Sequence, residues 1–230
     1  MERRDESGRN PQATEIAPQS AQRRGHGAVW DQPAQHARCF DSDAARIARQ
    51  AGKDHRLARE LWVSGIYEAR ILAALVDVPE QVTEPQMERW VKDFDSWDVC
   101  DQVCSNLFDQ TKSAHRKAVQ WSRRDEEFVK RAGFALMAAL AVHDKAASDA
   151  AFRKFLPLIR RAATDERNFV KKAVNWALRQ IGKRNAALNR AAIATAREIQ
   201  HVDAKAARWI AADALRELTS AAARKRLGKQ

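Results

Sequence analysis

Apolar residues recur three and four positions apart along most of the chain, the spacing that gives an α-helix one buried face. Leu57, Leu61 and Trp62 share a face over residues 54–63. Met87, Trp90, Val91 and Phe94 do so after Thr83-Glu84-Pro85, where the proline suits a first helical turn. The same pattern predicts helices over 66–77, 96–109, 113–121, 125–143, 147–163, 165–181, 185–200 and 203–221. A shorter helix is expected from about 41–43 to Gly52. No stretch alternates with period two, so the expected fold class is all-α. Residues 1–40 hold scattered prolines and no apolar period, and a tail is expected there. The last residues, 223–230 (ARKRLGKQ), are basic and expected to fray, which leaves 41–222 as the folded domain.

The helical pattern repeats itself. EFVKRAGFALMAAL, from Glu127, and NFVKKAVNWALRQI, from Asn168, match over Phe-Val-Lys-basic-Ala and again at Ala-Leu, 41 residues apart. KAARWIAADAL, from Lys205, echoes the Lys-Ala-x-x-Trp of Lys172–Trp176. Self-similarity near 40 residues, each unit a helix pair, is the signature of HEAT-type repeats. Such units stack into a right-handed or curved superhelical solenoid with a concave face. The helix carrying Phe-Val-Lys is the natural inner one. It would turn Lys130, Arg131, Lys171, Lys172, Arg179 and Arg208 toward the concavity, with Arg167 at the head of the second copy. Any one of these cations reads equally well as a solvated position; their recurrence at one place in the repeat is what singles them out.

Composition agrees with helices, with 8 Gly, 6 Pro and one Tyr in 230 residues. No apolar run reaches transmembrane length, and the N-terminus has no apolar stretch of a secretory signal, so a cytoplasmic protein without a membrane partner is expected. Cys39, Cys100 and Cys104 are odd in number and lack histidines at ligand spacing, so they read as reduced residues and no metal is expected. The net charge of +11 is unevenly spread. Residues 51–100 carry 6 Lys and Arg against 10 Asp and Glu, whereas residues 151–230 carry 19 against 6. A basic half of this kind is the footprint of a polyanion, nucleic acid before any other. The plain alternative is a solvated helical surface with solubilising charge, and a rival partner is an acidic protein bound to the same scaffold. His55, His115, His143 and His201 have no carboxylate or cysteine at useful spacing and are assigned no role.

Candidate chemistry centres on SWDVCDQVCSNLFD, Ser96–Asp109. In a helix, Trp97 and Asp101 lie one turn apart on one face. Val99, Val103, Leu107 and Phe108 can form the buried stripe without them. An indole beside a carboxylate suits a flat, cationic ligand. The plain alternative is a helix start, with Ser96 as the N-cap and Asp98 in the first turn.

SWDVCD, FVKRAGFALM and RNFVKKAVNWALRQIGKRN, in this order, resemble the DNA alkylation repair proteins of the AlkD type, HEAT-like-repeat DNA glycosylases. The resemblance covers roughly residues 43–220. It implies hydrolysis of the N-glycosidic bond of cationic alkylpurines in duplex DNA, by a monomer without cofactor. Trp97 and Asp101 take the family's Trp–Asp positions, Trp176 its second tryptophan, and Arg131 its arginine, expected to hold a flanking phosphate. Trp176 also fits a plain core position beside Ala173, Val174, Ala177 and Leu178. A non-catalytic binder of damaged or structured DNA on the same scaffold is the alternative. Trp62, Trp90, Trp121 and Trp209 read as packing residues.

Overall fold

A computed structural model describes residues 43–227. The expectations for residues 1–40, and Cys39, lie outside the described residues. Residues 43–51 form α1, which ends at Gly52 in a left-handed conformation (φ 74°). There follow α2 (His55–Val63), α3 (Tyr67–Val76), α4 (Glu84–Lys92), α5 (Trp97–Asn106), α6 (Ala114–Trp121) and α7 (Glu127–His143). The second half adds α8 (Asp149–Arg153), α9 (Leu156–Ala162), α10 (Asn168–Gly182), α11 (Ala186–Gln200), α12 (Lys205–Leu218) and α13 (Ala221–Leu227). No strand occurs among the described residues, and no helix there is long and apolar enough to cross a membrane.

Helix starts follow local chemistry. The side chains of Asp54, Thr83 and Asn185 accept from the backbone N–H groups of Leu57, Gln86 and Leu188, orphan donors of the first turn. Ser96 stands at the N-cap of α5 as expected, but its hydroxyl caps nothing and is buried without a partner. Three boundaries differ from the sequence reading. The helix expected over 147–163 is two, because Pro157 cannot donate to a carbonyl one turn back; α8 stops and α9 restarts with Pro157 in its first turn. The stretch after Asn106 leaves the α-helix for a 3₁₀ turn at Phe108–Gln110. The basic C-terminal segment continues the fold as α13, as far as Leu227.

The helices pack in two rows. In the first, α3, α5, α7, α10 and α12 touch in that order. In the second, α2, α4, α6, α9 and α11 pack against them. At the centre, α7 is apolar nearly all round and buried from Arg131 to Ala141, as a helix enclosed on every side must be. Its Gly133 is obligatory: a Cβ there would stand 2.4 Å from the Ser122 backbone nitrogen and 2.9 Å from the Trp121 carbonyl carbon. The reduced Cys100 and Cys104 are small core residues whose thiols face the Phe128 and Ala132 carbonyls of α7 at 3.9 and 3.7 Å. Burial pushes the Cys104 thiol well above its ordinary pKa. In the second row, the rings of Trp62 and Trp90 stack at 4.0 Å, and Phe108 joins Trp90 to Trp121.

Candidate functional site

Trp97 and Asp101 begin and end the first turn of α5, so their side chains leave on one face, as their spacing requires. The α5–α7 contact then brings Arg131 to Asp101. Its Nε donates to one carboxylate oxygen at 3.0 Å and its Nη2 to the other at 2.7 Å. This parallel pair of charge-assisted bonds fixes the plane of the carboxylate. The remaining nitrogen donates to the Phe169 carbonyl in the first turn of α10 at 2.6 Å, and the guanidinium carbon lies 6.0 Å from the centroid of the Trp97 ring. One arginine thus ties α5, α7 and α10 together.

Burial pushes the Asp101 carboxyl above its ordinary pKa, against the opposing pull of Arg131. Burial alone would lower the Arg131 guanidinium; the Asp101 charge overcomes it and holds it protonated. Arg131 is 5% exposed, and the Asp101 side chain 20%. Arg131 therefore differs from the sequence expectation. Its fork is committed to Asp101 and a carbonyl, and it is too enclosed to hold a flanking phosphate. The carboxylate is the member of the pair that reaches the surface.

Neighbouring side chains extend the cluster in both directions along the first row. Tyr67 of α3 donates its hydroxyl to Asp98, next to Trp97, and burial and that carboxylate raise its pKa. On α10, Lys172 has its ammonium pKa lowered by burial and by the charges of Arg131 and Lys171. Lys172 thus feels the Arg131 charge from α10, while the Asp98 and Asp101 carboxylates lie on α5. Trp176 is half-buried one turn beyond Lys172 and packs against the core.

The other cations chosen from the sequence are spread along the same row, and most have carboxylate partners. Lys130 reaches Asp165 at 3.2 Å, and Arg167 donates twice to the same carboxylate and once to the Asp125 carbonyl. Burial works against the Asp165 charge, but Arg167 and Lys130 hold its pKa low. Arg179 pairs with Glu217 at 2.6 Å and Asp213 at 3.4 Å. Arg208 pairs with Asp203 at 2.9 Å, both well exposed, a contact that adds little stability and is open to exchange for a phosphate. Lys171 lies 5.3 Å over the ring of Trp209.

Two sequence expectations fail here. Trp209 is no packing residue: it is 42% exposed. Three histidines do have carboxylate partners, His55 with Asp77, His115 with Asp144 and His143 with Asp109. Those partners are 22, 29 and 34 residues away and meet only when neighbouring helix pairs stack, so no local spacing signals them. Asp165 and Tyr67 were likewise invisible as site neighbours.

Comparison with known proteins bears on the same segment. A sequence model of the family described as DNA alkylation repair enzyme matches residues 41–218. No curated protein matches the chain. A solved structure similar to this chain covers 80% of it and 80% of its own chain, with a TM-score of 0.64 and 22% identity. It is described as belonging to a new family of proteins related to the HEAT-like repeat DNA glycosylases with affinity for branched DNA structures. At that identity the likeness establishes the fold, a HEAT-like repeat array.

Proposed function

Because the chain belongs to the DNA alkylation repair enzyme family, we propose that it binds duplex DNA and releases cationic alkylated purines, 3-alkyladenine and 7-alkylguanine, by hydrolysing the N-glycosidic bond. The observation that carries this reading is the Trp97–Asp101 face of α5, with the carboxylate oriented by Arg131 and still partly open to solvent.

The chemistry asks little of such a site. An alkylated purine is already positively charged, so it leaves as a neutral base without being protonated. The C1′–N bond breaks with its electron pair going to the ring, and positive charge builds on the sugar. Water then adds to C1′ and loses a proton. A fixed carboxylate stabilises the sugar cation as it forms and can orient the water, and a preorganised charge of this kind is commonly the largest contribution to catalysis. Asp101 has that role. The Trp97 ring, and Trp176 beyond Lys172, offer π faces to the cationic base at about 0.5–2 kcal/mol each. Arg131 is a positioning residue: it holds Asp101 ionised and aimed. Lys130, Arg167, Lys171, Lys172, Arg179 and Arg208 supply the phosphate-binding row.

A second reading has its own support. The solved relative is described by affinity for branched DNA rather than by base release, and both Asp101 oxygens already accept from Arg131. A non-catalytic DNA binder would keep the basic row and use the Asp101–Arg131 pair only as a brace. Single-turnover release of 7-methylguanine and 3-methyladenine from methylated DNA separates the two. Wild type should release both bases. Asp101→Asn, nearly isosteric, should stay folded with a lowered melting temperature, because the buried Arg131 loses its counter-charge, and should lose roughly a hundredfold to a thousandfold in rate. Equal rates would make Asp101 structural; no release by wild type would leave the non-catalytic reading.

A further inference from the structure

The last helix of the first row carries an exposed aromatic that the lesion chemistry above does not use. Lys205, Arg208, Trp209, Ala212 and Arg216 of α12 are all exposed and recur at three- and four-residue steps, so they form one solvent-facing stripe. At the middle of it stands the Trp209 indole, 42% exposed. Trp62, Trp90 and Trp121 are nearly or fully buried. Lys171, from the preceding helix of the row, holds its ammonium 5.3 Å over the Trp209 ring. Ala212, one turn on, is too small to cover that ring. Three carboxylates lie along this helix, Asp203 on Arg208, Asp213 on Arg216 and Glu166 on the Ala206 backbone N–H, against the four cations Lys171, Lys205, Arg208 and Arg216.

An exposed indole set among cations is the arrangement by which proteins hold single-stranded nucleic acid: the ring stacks on a base while the cations follow the backbone. A paired base inside a duplex offers no free face to such a ring. We propose that Trp209, with Lys171 over its ring and Arg208 beside it, is a second nucleotide site, which stacks an unpaired base of a single-stranded DNA arm at a branch or end as the Lys171 ammonium moves from the ring to the arm's phosphate. The site is three row positions away from Trp97 and Asp101, since α7 and α10 come between α5 and α12. The inference rests on the reading of the chain as a DNA-binding protein. It adds that the far end of the basic row selects DNA with an unpaired arm over plain duplex.

The test compares a blunt duplex with the same duplex carrying a ten-nucleotide single-stranded arm, by fluorescence anisotropy. Wild type should bind the armed duplex more tightly. Trp209→Ala should lose about tenfold on the armed duplex and less than twofold on the blunt one. Trp209→Phe should recover most of that loss. In wild type, 2-aminopurine placed in the arm should be quenched on binding, and in Trp209→Ala it should not, with circular dichroism melts confirming that both proteins are folded. If the armed and blunt duplexes bind wild type equally, or Trp209→Ala weakens both alike, or 2-aminopurine is not quenched in wild type, the second site is overturned while DNA binding stands. If wild type binds neither duplex, the DNA reading itself falls, and this site with it.

Discussion

Trp62, Trp90 and Trp121, on the second row of helices, differ from Trp97, Trp176 and Trp209, on the first, in what their rings meet. The second-row rings are closed in. Trp62 stacks on Trp90 with Arg70 over its other side, and Phe108 connects Trp90 to Trp121. Two of their indole N–H groups donate to carboxylates, Trp62 to Asp93 and Trp121 to Glu88, each at 2.8 Å. The first-row rings are half-buried or exposed. Two of them, Trp97 and Trp209, keep company with cations from an adjacent helix of the row. The same side chain therefore serves as core material on one row and as an offered surface on the other. What decides is the row on which the residue falls.

The sharpest break of this comparison is a truncation in each row. Trp121→Ala removes a fully buried ring and its bond to Glu88, and should cost about 3–5 kcal/mol of stability in urea unfolding. Trp97→Ala, measured in the same way, should cost less than half as much. A loss in Trp97→Ala as large as in Trp121→Ala would mean that the two rows do not differ.

A smaller effect tests the cations of the open row. The Lys171→Ala/Lys172→Ala double variant should bind blunt duplexes of different sequence several-fold more weakly, by a similar factor for each. The slope of log affinity against log salt should fall by roughly one unit per lost phosphate contact. An unchanged affinity and slope would take these two lysines off the DNA.

The smallest effect lies on the closed side. The hydrogen bond from His115 holds the Asp144 carboxyl below its ordinary pKa. A carboxyl depressed by folding contributes stability above its unfolded value, and that contribution is lost as pH falls through the folded one. Asp144→Asn should therefore cost at most about 1 kcal/mol at neutral pH, and the difference from wild type should close in acid. A gap that widens as the pH falls would contradict the assigned direction.

Much of the helical order can be read from the chain because its causes are local: Asp54, Thr83 and Asn185 cap, Gly52 terminates, and apolar residues recur every third or fourth position. Pro157 carried an equally local signal, a break in the helix, which the apolar period masked. In the site, the four-residue step from Trp97 to Asp101 was legible, since a helix alone sets it. The bond from Arg131 to Asp101 was not, because it depends on how α7 lies against α5. Trp209 was misjudged for a simpler reason. It sits beside the buried Ala206 and Ile210, and an apolar residue at the margin of a helical stripe has no pattern to say which side it takes.

The bonds made by Arg131 also bear on mechanics. A stack of helix pairs is elastic, and bending it opens or closes the gaps between successive turns. At one level in this stack, α5, α7 and α10 are riveted through a single guanidinium, by two bonds to Asp101 and one to Phe169. These three bonds oppose any opening of the gap at that level, and they hold the Trp97–Asp101 face in register with the first turn of α10.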